Sequence, residues 1–254
     1  MIDVKKKAIN LIFILLLIFS FFFFWKAYEE LNPVWKAKAT NEALKDMTAL
    51  KTEDPLQRDI DFEALKKINP DIMGWIYIPD TAIDYPILKG KSDEEYLYKD
   101  IERNYNRLGS VTTFSDTYQD FVKGQNFIYA HNGVKNMMFG DLYEYKNEEF
   151  RQNHLHFYIY TENKTYECSV FSIFVAEDTE AIYTHQFDIG TYDYIDRLEM
   201  LVQRNDYDDL SSQDLEHAIN INKEVFTLLT CDGNVGTPYR LLINATVEKV
   251  KYMI

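Results

Sequence analysis

The sequence predicts a mostly β domain with peripheral helices, carried behind one transmembrane helix. Three features lead there. Met1 to Lys7 ends in three lysines, and Ala8 to Trp25 is almost wholly apolar, broken only by Asn10 and Ser20. From Asp71 onward, short runs rich in Ile, Val, Tyr, Phe and Thr alternate with Pro, Gly, Asp and Asn turns, the punctuation of strands. Between some of these runs lie stretches with the apolar spacing of amphipathic helices. With 254 residues, 46% hydrophobic and 15% aromatic, the chain can build one core of about 200 residues plus extensions.

The apolar run comes first. As a helix it spans roughly 27 Å, close to the ~30 Å hydrocarbon core of a bilayer. A cleaved signal peptide would have a shorter apolar region, about 7–15 residues, ending in a small-residue site. Here the run ends in Phe21 to Phe24, then Trp25 and Lys26, so an uncleaved anchor is expected. Lys5, Lys6 and Lys7 before it, against Glu29 and Glu30 after it, place the N-terminus in the cytoplasm and the rest outside. The expected division is a cytoplasmic tail over 1–7, an anchor over 8–25, a helical stalk over 26–60 and the main folded domain over 61–254. No second membrane span is expected.

The stalk is polar and helix-prone, with Asn32-Pro33 read as an N-cap and first helical position. Phe62 to Ile68 forms a short helix stopped by Asn69-Pro70. Asp71 to Pro79 and Thr81 to Leu88 are short strands joined through a Pro-Asp turn, and Ser92 to Leu97 forms a helical turn. Gly109 to Phe114 is strand-like, with Ser110, Thr112 and Thr113 giving it a polar face. Gln125 to Ala130 is an apolar strand that delivers His131 at its end. Leu155 to Thr161 and Lys164 to Ala176 make a hairpin with Cys168 in the core. Thr191 to Asn205 has amphipathic helix spacing, and Ser211 to Leu215 opens a shorter helix.

Val225 to Thr230 is a buried strand, Asp232 to Pro238 is loop chemistry, and Arg240 to Val247 is a second strand. Cys231 thus sits where a strand runs out into a loop, and a cation opens the strand that follows. A half-exposed thiol in that position, with a guanidinium near it, is favoured as thiolate. By itself a lone Cys at a strand end reads as a small core residue, and Arg240 as a solvated charge.

Thr227-Leu228-Leu229-Thr230-Cys231 followed by Arg240-Leu241-Leu242-Ile243-Asn244-Ala245 resembles the active-site signature of the sortases, membrane-anchored cysteine transpeptidases of Gram-positive bacteria. Asn126-Phe127-Ile128-Tyr129-Ala130-His131, with Met138-Phe139-Gly140-Asp141-Leu142 after it, resembles the family's His segment, Ala130 standing where a Gly is usual. Gly74-Trp75-Ile76 and Ile83-Asp84-Tyr85-Pro86 resemble its opening strands. The resemblance covers roughly residues 61 to 250. The N-terminal helices and the helical insertion before the Cys strand point to class B.

The resemblance implies a closed eight-stranded β-barrel on which His131, Cys231 and Arg240 converge. It implies that Cys231 attacks the carbonyl of a Thr in a C-terminal sorting pentapeptide of a secreted protein and forms a thioester. His131 would protonate the leaving amine, and Arg240 would orient substrate or stabilise the oxyanion. The acceptor would be a cell-wall peptide amine. Thr230 is a candidate substrate contact and equally a core-facing strand residue. No cofactor and no metal are expected, because His154, His156, His185 and His217 lack metal-like spacing. The net charge of −14 argues against nucleic acid, whose phosphates need basic patches. A non-catalytic tethered β-domain that binds wall or partner protein is the alternative. A papain-like peptidase is disfavoured because there the Cys precedes the His.

Overall fold

The computed structural model describes residues 2–48, 54–133, 136–183, 186–210, 221–233 and 236–253. The expected helix at 211–215, and with it His185 and His217, lies outside the described residues. The chain divides into two compact units, Met1–Thr40 and Asn41–Ile254.

The described residues of the first unit are helical and belong to α1, Ile2–Met47. Its apolar side chains from Ile9 to Trp25 lie exposed, and this is the one helix among the described residues long and apolar enough to cross a membrane. The helix expected to begin at Asn32-Pro33 has no separate start, because α1 runs through Pro33 without a break. A proline removes one i→i−4 bond from a helix interior. Good helix formers on either side, Glu29 to Leu31 and Lys36 to Ala39, supply the turns that carry the helix across it.

In the second unit eight strands close a barrel in the order β1-β2-β3-β4-β7-β8-β6-β5. They are β1 Ile72–Tyr77, β2 Asp84–Lys89, β3 Thr112–Thr113, β4 Gln125–Tyr129, β5 His156–Tyr160, β6 Lys164–Glu177, β7 Val225–Cys231 and β8 Tyr239–Tyr252. The expected class of fold is therefore observed. Most neighbours are antiparallel, whereas β2 with β3 and β4 with β7 run parallel. Successive strand residues face opposite sides. Ile128, Phe226, Leu228, Leu241 and Ile243 fill the inside, while Phe127, Val225, Leu229 and Leu242 face outward beneath a helix.

That helix is α4, Tyr192–Gln203, capped by the Thr191 hydroxyl. It buries Tyr194, Leu198 and Leu201 on the outer wall, as its spacing predicts. Beneath it, Gln125 Nε2 donates to Thr227 Oγ1, Thr227 donates to Asn244 Oδ1, and Ser172 Oγ donates to the Leu201 carbonyl of α4. A polar chain like this fixes the helix in one position, since a slip would strand buried groups without partners. On the other side α2, Phe62–Ile68, is capped by Asp61 and lays Phe62 and Leu65 with Leu44 and Ile60 against Trp75 and Tyr160. A third short helix, α3 Glu148–Asn153, follows a run of 3₁₀ turns after β4.

The strand expected over Gly109 to Phe114 shrinks to Thr112–Thr113, and its polar face is absent. Both threonines are buried. Thr112 Oγ1 donates to the Leu88 carbonyl and Thr113 Oγ1 to the Phe127 carbonyl, so hydroxyls expected to make a face polar are instead satisfied by neighbouring backbone. Cys168 is fully buried, as expected, and burial pushes its thiol well above the ordinary value.

The many buried phenols make alkaline stability predictable. Burial pushes Tyr85 up to about 12 from an ordinary 10.0, and raises Tyr145, Tyr160, Tyr166 and Tyr194 in the same direction. Raised folded values give stability that is complete below the unfolded value and lost as pH climbs towards the folded ones. Each such phenol removes up to about 1.4 kcal/mol per pH unit above ~10. The urea midpoint is therefore expected to hold to about pH 9 and fall steeply by about pH 11. An unchanged midpoint across that interval would contradict the burial of these side chains.

Candidate active site

The parallel pairing of β4 with β7 brings the expected residues together. Tyr129 stands beside Leu229, and continuing that register one step along the outer face puts His131 beside Cys231. Cys231 is in turn the antiparallel partner of Arg240 on β8. His131, Cys231 and Arg240 thus form a row across three adjoining chain segments, on the outside of the barrel at one rim. All three line one cavity of about 390 Å³, together with Leu97, Tyr98, Tyr129, Asn132 and Thr237. Each is partly exposed.

Alternation turns Thr230 the other way. It is buried, and its hydroxyl donates to the Ala130 carbonyl at 3.0 Å, so it ties the His segment to the Cys strand while forming part of the cavity wall. Asn132 adds a second tie, its Nδ2 donating to the Cys231 carbonyl at 3.0 Å. The loop after His131 is fastened by Asp141, whose carboxylate accepts from the backbone N–H of Asn136 and of Ala82 in the β1–β2 turn.

His131 Nε2 lies 2.8 Å from the Leu97 carbonyl. A carbonyl only accepts, so Nε2 carries the proton and Nδ1 is the nitrogen left to exchange one. The Tyr98 ring packs on the imidazole at 5.2 Å between centroids. Gly109 makes the approach of residue 97 possible. It sits at φ +58°, and a Cβ there would meet the Leu97 carbonyl oxygen at 2.3 Å.

Arg240 is held by three acceptors. Nη1 donates to the Thr237 carbonyl at 2.6 Å and the Tyr239 carbonyl at 3.0 Å, and Nη2 to Asp178 Oδ2 at 3.0 Å. Asp232, next to the thiol, pairs with Lys146. Burial works against the Lys146 ammonium, but the Asp232 hydrogen bond and charge more than offset it, and its pKa is raised.

Sequence reasoning found the row but not its supports. Leu97 acts through its backbone, and Tyr98 and Asp178 come from segments without any motif, so only the fold connects them to the site. Asn132 carried a usable signal, being the residue after His131.

A second grouping was also invisible in the sequence. His156, Glu167 and Glu248, from three neighbouring strands, bring their ligand-type atoms within 4.8 Å of one another. Spacing between histidines cannot reveal such a set. Glu167 already accepts from Lys249 at 3.0 Å, and His156 lies about as far from each carboxylate as a long ion pair, 4.0 and 3.9 Å. The set reads as a charge network around the buried Glu167 carboxylate.

Known proteins agree with this architecture. A sortase-domain family model matches residues 76–248. Sortase B of Listeria monocytogenes is 29% identical over 233 residues, 89% of this chain and 89% of its own. Sortase B of Staphylococcus aureus is 27% identical over 252 residues, covering 96% and 98%. A crystal structure of Sortase B from S. aureus superposes with a TM-score of 0.65 at 28% identity, over 75% of this chain and 78% of that one. The chain belongs to the sortase family of cysteine transpeptidases, and these relatives set it among the class B members.

Proposed function

We propose that the protein cleaves a C-terminal sorting pentapeptide of secreted proteins after its Thr, through a thioester at Cys231, and passes the acyl group to a cell-wall peptide amine. The observation that carries this reading is the row of His131, Cys231 and Arg240 along one rim, open to a single cavity. In the first half-reaction the Cys231 sulfur bonds to the Thr carbonyl carbon, and the C–N bond breaks as His131 Nδ1–H protonates the leaving amine. In the second, a neutral peptide amine displaces the sulfur while His131 takes up its proton. Arg240 donates to the carbonyl oxygen as negative charge develops there. Thr230 contributes cavity wall beside the bound peptide.

A peptide amine as acceptor is further supported by a Sortase B solved in complex with triglycine, at 27% identity and a TM-score of 0.64. The apolar helix over 8–25 supports a single-pass anchor with the lysine-rich tail over 1–7 in the cytoplasm, residues 26–60 as a stalk and residues 61–254 outside. Tethering would hold the enzyme where translocated substrates emerge.

The test uses the full chain in detergent with quenched-fluorophore peptides bearing Asn-Pro-x-Thr-x, Pro-Pro-x-Thr-Gly and Leu-Pro-x-Thr-Gly cores. Cleavage after Thr in one of them is expected, with an acyl adduct on the enzyme in the intact mass. Turnover without any adduct would count against the thioester. No cleavage of any peptide, combined with a Cys231 inert to thiol reagents, would sink the catalytic reading.

A further inference from the structure

Asp178 stands just beyond β6, whose last residues pair Ala176 with Arg240 and Glu177 with Tyr239. Its own backbone N–H donates to the Pro238 carbonyl at 2.8 Å, so the acid is fixed against the β7–β8 loop by main chain as well as by its side chain. The carboxylate then takes one Nη2 hydrogen of Arg240. The side chains are 41% and 23% exposed, and a pair that open contributes little to stability. Its consequence is orientation.

A guanidinium has five N–H donors in a rigid plane. Thr237 and Tyr239 take the Nη1 donors and Asp178 takes one on Nη2. Among the described residues Nε–H has no acceptor, and Nε and Nη2 together form one edge of the plane. Two parallel donors on one edge suit a carbonyl oxygen that is gaining charge. Without Asp178 only the two main-chain carbonyls on Nη1 hold the plane, and the edge presented to the cavity is less firmly set. We propose that Asp178 is a positioning residue for the acyl-transfer reaction: it sets which edge of Arg240 faces the Cys231 cavity. The inference rests on the oxyanion role proposed above for Arg240.

A double-mutant cycle on the full chain tests it, with kcat and KM measured on the preferred sorting peptide for Asp178→Ala, Asp178→Asn, Arg240→Ala and Asp178→Ala/Arg240→Ala. Asp178→Ala is expected to lower kcat about tenfold with KM within about twofold, since a misaimed group loses transition-state rather than ground-state contact. Asp178→Asn, whose amide oxygen accepts the same bond, is expected to recover most of that loss. In the Arg240→Ala background Asp178→Ala is expected to change kcat by less than about twofold, because the guanidinium it orients is gone.

An equal loss in both backgrounds, or no loss in either, overturns the proposal. Wild-type kcat in Arg240→Ala alone would instead remove the role of Arg240 itself, a distinct failure read from a different variant. Thermal midpoints matching wild type accompany the expected result, and a collapsed midpoint in both Asp178 variants would mark a structural role and overturn it.

Discussion

Cys231→Ala is expected to abolish peptide cleavage, by at least about a thousandfold in kcat, while leaving the fold intact. The size follows from chemistry. Among the described cavity residues Cys231 is the one thiol fit to form a covalent acyl intermediate, while Thr230 has its hydroxyl committed to the Ala130 carbonyl and Tyr129 donates its own to the Asp93 carbonyl. Tyr129 is further removed from such a role because burial pushes its phenol up. The other thiol cannot substitute. Cys168 faces the barrel interior, and burial keeps it protonated.

A maleimide reagent is accordingly expected to modify the folded wild type at Cys231 alone, the Cys231→Ala variant at no site, and both thiols of the wild type only after denaturation. Because Cys231 is partly exposed at a strand end, its removal should shift stability by no more than about 0.5 kcal/mol. Residual cleavage within tenfold of wild type would require another nucleophile. Rapid labelling of folded Cys231→Ala would contradict the buried place of Cys168.

Arg58→Ala carries the largest expected stability effect, a loss of about 3–5 kcal/mol in denaturant unfolding. Arg58 is 2% exposed and saturated with partners. Nε donates to the Thr48 carbonyl at 2.7 Å, Nη2 to Thr48 Oγ1 at 2.8 Å, and the Nη1/Nη2 fork grips Asp84. The guanidinium also lies over Trp75, Tyr77 and Tyr160. Truncation leaves the Asp84 carboxylate with the Trp75 indole N–H as its remaining partner among those bonds, and takes from the buried Thr48 carbonyl its Arg58 donor. Lysine does not repair it, since an ammonium cannot serve carboxylate, carbonyl and hydroxyl in one plane. Arg58→Lys is expected to recover less than half of the loss. A loss below about 1 kcal/mol for Arg58→Ala would show that these contacts are individually dispensable.

The legible part of the chain was the part where chemistry is local. Strand wording before and after Cys231, the His131 segment and the turn residues around them follow from adjacent residues, and the barrel honours them. Phe62 to Ile68 forms the helix expected, because Asp61 caps it and Asn69-Pro70 stops it. What escaped is everything decided by contact across the sequence. Thr112 and Thr113 look polar until the carbonyls of Leu88 and Phe127 arrive to accept their protons. Pro33 looks like a helix start until both flanks prove helical. The carbonyl that fixes the His131 tautomer, and the acid that holds Arg240, belong to segments whose wording says nothing about catalysis.

The parallel seam between β4 and β7 also bears on when the protein becomes active. Ala130 and Thr230 meet across it from 100 residues apart. A contact of that span forms late, after the intervening hairpin and helix have shortened the loop to be closed. Until that contact forms, the thiol is without its imidazole neighbour. It acquires a catalytic environment only when the last strands zip into place. Onset of turnover during refolding should then coincide with completion of the barrel wall, making the enzyme a reporter of its own maturation and sparing the unfolded chain from acylating itself.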